Sequence, residues 1–221
     1  MHRAVLWDLD GTLVDSADLH WISWRDTLSA AGVTITYEQF LDSFGQKNDR
    51  ILRGWLPNGA PADDIRRIGD AKEAEYRRLA RAHGLTPLPG AADWLARLHA
   101  AGWEQAIASS APRENVEVML DALGLRGYFE VMTAAEDVSA GKPDPQVFLA
   151  ASSRLGIPPP SCVVVEDAAA GIEAARRAGM RSVGVSRTER LDADIVVSSL
   201  LDLPADAFER LLSISSRPER R

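Results

Sequence analysis

The sequence predicts an α/β fold, a doubly wound parallel sheet with an all-helical unit inserted after its first strand. Three observations carry this. A short apolar run over residues 4–9 ends in acids, and helical spacing without a strand signal then fills residues 16–84. From Gly90 onward, short apolar runs alternate with helix-length amphipathic segments. Such alternation calls for a parallel sheet covered on both faces and joined by right-handed crossovers.

In chain order, the run over 4–9 is continuously apolar, as a strand buried on both faces must be. After Gly11-Thr12 a helical period runs over 16–31 and stops at Gly32, a helix-ending glycine. The period returns over 37–56 and 62–82, with Pro57-Asn58-Gly59-Ala60-Pro61 as the break. Residues 1–15 and 85–221 therefore form an α/β core and residues 16–84 a helical cap, with hinges at 13–17 and 84–90. Within the core, helices are expected over 91–101, 112–123, 144–155 and 168–178. Strands are expected over 104–108, 129–133, 162–165 and 182–185.

The 221 residues are 46% hydrophobic and 26% charged, which excludes a disordered chain or a coiled coil. A net charge of −7 without a basic stripe argues against nucleic acid or an anionic membrane as partner, and the Arg-rich end at 217–221 reads as a frayed tail. Cys162 is the only cysteine, so no internal disulfide is expected and a reducing compartment is the natural reading. The apolar start meets Asp8 too soon for a signal peptide, and no run is long enough to span a bilayer; the expectation is a cytoplasmic protein. Among 25 basic residues only Lys47, Lys72 and Lys142 are lysines. A lysine kept in such an arginine-rich chain points to a place where a compact ammonium is needed, against the competing reading of three incidental solvated side chains.

Ligands of such sheets bind beyond the carboxyl ends of the strands. Those ends read Asp8-Leu9-Asp10-Gly11-Thr12, Ser109-Ser110 and Glu166-Asp167, and the loop after the third strand carries Gly141-Lys142-Pro143. Four carboxylates at one rim repel unless neutralised, and oxygen ligands suit Mg²⁺. Lys142 and Ser109 suit a phosphoryl group, and an Asp carboxylate is an accepted nucleophile. Each piece has a plain alternative. Asp10-Gly11-Thr12 could be a turn, Ser109 to Pro112 a helix cap, and Glu166-Asp167 acids at a helix start. Their joint placement at successive strand ends favours a site.

The set resembles the haloacid dehalogenase superfamily, in its phosphatase branch with a Rossmann-like core and a helical cap. Asp8 to Thr12 is similar to its first motif, Ser109 to its second, Lys142 to its third and Glu166-Asp167 to its fourth. Residues Ala168, Gly171-Ile172, Ala174-Ala175 and Ala178-Gly179-Met180 continue the fourth. The resemblance implies Asp8 as nucleophile and Asp10 as acid and then base. It implies Ser109 and Lys142 as catalytic groups on the phosphate, with Ser110 beside them and Lys142 paired with the nucleophile as well. Mg²⁺ would be held by Asp8, the Asp10 backbone carbonyl and Asp167, with Glu166 a direct ligand or just behind. In the cap, His20, Lys47, Asn48 and Lys72 are the candidates for substrate contact, and Arg113 of the core is another. Phe44 and Asn48 depart from the β-phosphoglucomutase pattern, which has basic residues there.

The expected activity is Mg²⁺-dependent hydrolysis of a small phosphate ester, a sugar or polyol phosphate, through an aspartyl-phosphate, by a monomer or weak homodimer. A sugar phosphomutase is the first alternative; a phosphonate hydrolase using Lys47 or Lys72 and a non-catalytic phospho-ligand sensor stand behind it. Asp10 has no use in dehalogenation.

Overall fold

Ala4–Trp7, four consecutive residues with no exposed surface, form β1, the strand around which the sheet is laid down. The computed structural model describes residues 2–43, 46–186 and 190–213. The other strands are β2 (Glu104–Ala108), β3 (Val131–Thr133), β4 (Cys162–Glu166), β5 (Arg181–Val185) and β6 (Ile195–Val197). All pair in parallel in the order β3-β2-β1-β4-β5-β6. The chain thus adds strands on one side of β1 and then on the other, which opens a crevice at the carboxyl ends of β1 and β4.

Nine α-helices lie among the described residues. Four fall between β1 and Gly84: α1 (Ala17–Ala30), α2 (Tyr37–Ser43), α3 (Asn48–Trp55) and α4 (Ala62–His83). The rest are α5 (Ala91–Ala100), α6 (Arg113–Leu123), α7 (Gln146–Leu155), α8 (Ala169–Arg177) and α9 (Ala207–Ser213). Alternation along the strands divides the core. Val5, Trp7, Ile107, Val163 and Val165 face Leu95, Met119 and Phe208 of α5, α6 and α9. Ala4, Leu6, Ala106 and Val164 face Phe148, Ala151 and Ala174 of α7 and α8. The buried Trp7 indole donates to Gln105 Oε1 (3.1 Å), and Gln105 Nε2 donates to the Leu95 carbonyl (3.0 Å), so these core polar groups are paired.

Helices α1 to α4 enclose an apolar cluster of their own, built on Trp24, Leu28, Phe40, Leu52, Ile65 and Ile68. The two segments joining them to the sheet run side by side, and the Leu88 N–H donates to the Leu13 carbonyl (2.8 Å).

Several expected elements differ. The helical period over 37–56 is two helices, with Lys47 extended ahead of α3 (φ −69°, ψ 143°); Phe44 and Gly45 lie outside the described residues, as does the 217–221 tail. The strand expected over 129–133 shrinks to three residues, Val131–Thr133, and the Phe129 N–H turns back to the Arg126 carbonyl (3.3 Å), closing the 3-10 turn over Arg126–Tyr128. The elements β6 and α9, beyond the last expected strand, carry no clear signal in the sequence. Three half-exposed residues and a seven-residue helix are too short to establish a period. Among the described residues no helix is long and apolar enough to cross a membrane.

Candidate active site

Asp8 is the first residue past β1. Register sets its position: Trp7 pairs with Ile107 and Val165, and the Asp8 N–H donates to the Val165 carbonyl (3.0 Å). Its carboxylate, nearly buried, accepts from Lys142 Nζ (Oδ1, 2.6 Å), and Lys142 also donates to Glu166 Oε1 (2.5 Å). The second Glu166 oxygen accepts from the Ala168 N–H (2.8 Å). One ammonium is therefore fixed between two carboxylates, and these raise its pKa although burial works to lower it.

Ligand atoms of Asp8, Glu166 and Asp167 all lie within 4.8 Å of one another. Burial pushes the Asp8 carboxyl up to about 8 against the pull of Lys142, with the Glu166 charge adding to the rise. Asp167 stands well above its ordinary value, through burial first and then the charges of Glu166 and Asp8. This is the signature of more negative charge than one lysine balances. Two glycines make room for the cluster. A Cβ at Gly11 (φ +80°) would lie 2.0 Å from Asp167 Oδ2, and one at Gly171 would lie 1.8 Å from Glu166 Oε1. Hard oxygen donors, crowded and short of positive charge, fit Mg²⁺.

The Asp10 side chain turns the other way, toward the inserted helices. It accepts a short hydrogen bond from Ser16 Oγ and sits 3.2 Å from His20 Nε2. His20 Nδ1 lies 2.9 Å from Lys72 Nζ, and the imidazole stacks on Tyr76 at 4.1 Å between ring centroids. An ammonium can only donate, so Nδ1 is the acceptor and Nε2–H faces Asp10, the neutral tautomer. Burial, then the Lys72 charge, lowers the His20 pKa, in keeping with that form. Burial opposes ionisation of Asp10, but the hydrogen bond from His20, followed by that from Ser16 and the Lys72 charge, holds its pKa below the ordinary value.

Ser109 follows β2 and is buried; its Oγ accepts from the Ala111 N–H (3.0 Å). A cavity of about 800 Å³ opens between the sheet end and the inserted helices. Its walls include Asp8, Asp10, Ser109, Ser110, Lys142, Glu166 and Asp167 on one side, and His20, Lys47, Asn48 and Lys72 on the other. All three lysines of the chain meet here.

Particular expectations change. Lys72 is no solvated helix lysine: it is 2% exposed, between His20 and Glu73, with Trp24 and Tyr76 rings at 5.1 and 5.5 Å. Asn48 donates to Glu73 Oε1 (2.6 Å). Arg113 is not brought to the cavity; its guanidinium pairs with Asp137 (2.5 Å), which also takes Arg154 (2.6 Å). Sequence reasoning missed Ser16, Glu73 and Asn115. Ser16 read as a helix start, yet its hydroxyl goes to Asp10 and makes no cap hydrogen bond. Glu73 and Asn115 carried no motif signal, since their partners come from distant segments.

A family model described as haloacid dehalogenase-like hydrolase matches residues 5–185, a span holding the whole acidic cluster. The chain belongs to this family. It is an enzyme of the phosphatase kind that its named relatives represent. It is 31% identical over 217 residues to hexitol phosphatase B of Escherichia coli K12, covering 91% of this chain and 94% of that one. It is 32% identical over 190 residues to the protein CbbY of Rhodobacter capsulatus, with 82% and 84% covered. The β-phosphoglucomutase structure from Clostridium difficile superposes with a TM-score of 0.87 at 26% identity, over 96% of this chain and 97% of that one. The expected family and α/β fold are thereby borne out.

Proposed function

We propose that this member of the family hydrolyses phosphate monoesters of small sugars or polyols, with Mg²⁺, through a phosphorylated Asp8. The observation that carries the reading is the convergence of Asp8, Lys142 and the Glu166-Asp167 pair at the sheet crevice, with Asp10 facing the cavity beside them. Residues 16–84 act as the cap that selects the leaving group and keeps water away while it departs.

In the first step an Asp8 carboxylate oxygen attacks phosphorus, the ester P–O bond breaks, and Asp10 gives its proton to the departing oxygen. Asp10 is held ionised by His20 and Ser16, so the proton must be loaded when the negatively charged ester arrives beside it. In the second step Asp10, again a carboxylate, takes a proton from water as the water attacks phosphorus and the Asp8–phosphorus bond breaks. Lys142 and Ser109 supply fixed donors for the phosphoryl oxygens, and Lys142 also holds Asp8 in position. Mg²⁺, held by Asp8, Asp167 and the Asp10 carbonyl with Glu166 close by, would offset the charge of the transferring group.

The phosphomutase alternative rests on the likeness to the Clostridium enzyme. It calls for recognition of a second phosphate, and the departure at Asn48 works against that: its amide is committed to Glu73. Inorganic phosphate release from a panel of hexose, hexitol and pentose phosphates, measured as kcat/KM with Mg²⁺, tests the reading. Turnover with phosphate release that Asp8→Asn reduces at least about 1,000-fold supports it. Interconversion of sugar phosphates without release, or hydrolysis that survives Asp8→Asn, refutes it.

A further inference from the structure

Glu73 of α4 is 6% exposed, and side chains from two distant segments, α3 and α6, converge on it beside its own neighbour Lys72. Its Oε1 accepts from Lys72 Nζ (2.9 Å) and from Asn48 Nδ2 of α3 (2.6 Å). Its Oε2 accepts from Asn115 Nδ2 of α6 (2.5 Å), a fully buried core side chain. Asn115 cannot flip: its Oδ1 takes a hydrogen bond from Arg77 (2.9 Å), and arginine has no acceptor to offer. Arg77 is itself anchored to Glu114 (3.1 Å). Glu73 must therefore present an acceptor to the core, and Asn115 must present a donor to the inserted helices.

We propose that the Glu73–Asn115 hydrogen bond is a latch: Glu73 is a positioning residue that holds the inserted helices closed on the core and, in the same act, fixes Lys72 against His20 and Asp10. The Glu73 oxygen beside Lys72 and the one beside Asn115 belong to one rigid carboxylate. Opening the helices strips Oε2 of its buried donor and frees the carboxylate to rotate. Lys72 then loses its fixed partner, and with it the orientation of the His20 ring on Asp10. Closure and acid–base readiness are thus one event.

The test is a polarity swap. Glu73→Gln puts two donors face to face and lowers kcat/KM for phosphate esters about tenfold or more. Asn115→Asp puts two carboxylates face to face and lowers it at least as far. In the double variant, Glu73→Gln with Asn115→Asp, the amide now on α4 donates to the carboxylate now on α6. That carboxylate still accepts from Arg77, and kcat/KM returns to within about threefold of the starting enzyme. Hydrogen exchange supplies a readout that needs no turnover. In each single variant, and in the milder Asn115→Ser, the Leu88 amide on Leu13 exchanges about tenfold faster while amides of β1 and β4 do not change. The swap restores its protection. The inference is overturned if the single variants leave Leu88 protected, or if the double variant is no better than the product of the singles. The kcat/KM arm rests on the phosphatase reading and the exchange arm does not. A starting enzyme that releases no phosphate refutes that reading alone, and exchange still decides the latch.

Discussion

Three lysines among 25 basic residues were a compositional oddity, and the structure brings all three to one cavity. They do different things there. Lys142 is clamped between Asp8 and Glu166, and Lys72 lies buried between His20 and Glu73. The Lys47 stem runs over Gly141, where a Cβ would come within 3.1 Å of its Cε. A planar guanidinium has no room to give one compact charge to two carboxylates. Lys142→Arg should therefore lower kcat about 100-fold in a folded protein, the scale expected for a misplaced preorganised donor; phosphate release and circular dichroism together check it. Gly11 is one of the two glycines that make room for the acidic cluster. Gly11→Ala meets both a positive φ and the Asp167 carboxylate. It should cost about 1–2 kcal/mol in backbone strain and weaken Mg²⁺ at least about tenfold, read by titrating activity with the ion. The motif residues were legible because each lies at a strand end. Glu73 and Asn115 were not, because their meaning comes from a contact 42 residues apart in sequence.

At the scale of elements, the end of β3, the start of α6 and the last turn of α7 form a joined corner. Asp137 accepts from the Ala134 N–H (2.8 Å) and pairs with both Arg113 and Arg154. The Arg154 hydrogen bond, then the Ala134 amide and the charges of both arginines, lower its pKa to about 2. A depressed carboxyl stabilises the fold above the unfolded-state value of about 3.9. That contribution fades as pH falls toward the folded-state value of about 2. Asp137→Asn should consequently lower Tm at pH 6, and the two melting temperatures should draw together as pH approaches 2; a constant difference across that range would discount the ion triad. Most of the core elements were readable from period and punctuation, as in Glu104–Ala108 with its matching bounds. The short edge strand β6 was not, since Ile195–Val197 is half exposed and pairs only with β5.

On the scale of the whole molecule, the apolar cluster of α1 to α4 is separate from the two clusters that sandwich the sheet. Leu52, fully buried in it, touches no strand cluster. Leu52→Ala should loosen the inserted helices by about 2–5 kcal/mol. Hydrogen exchange should show this in α1, α3 and α4, with β1 and β4 as protected as before; uniform loss across the sheet would mean a single cooperative unit. By itself the sequence determined the class of fold, the family and the rim of carboxylates with its lysine. Those follow from local signals: an apolar run, a turn, the residue that comes after a strand. Only the tertiary structure decided that Asp10 is held by Ser16 and by His20 of the inserted helices, that Arg113 is spent on Asp137, and that Lys72 is buried. Side-chain direction at a strand end, and the pairing of charges from distant segments, depend on how helices close over the sheet. No local pattern along the chain encodes that closure.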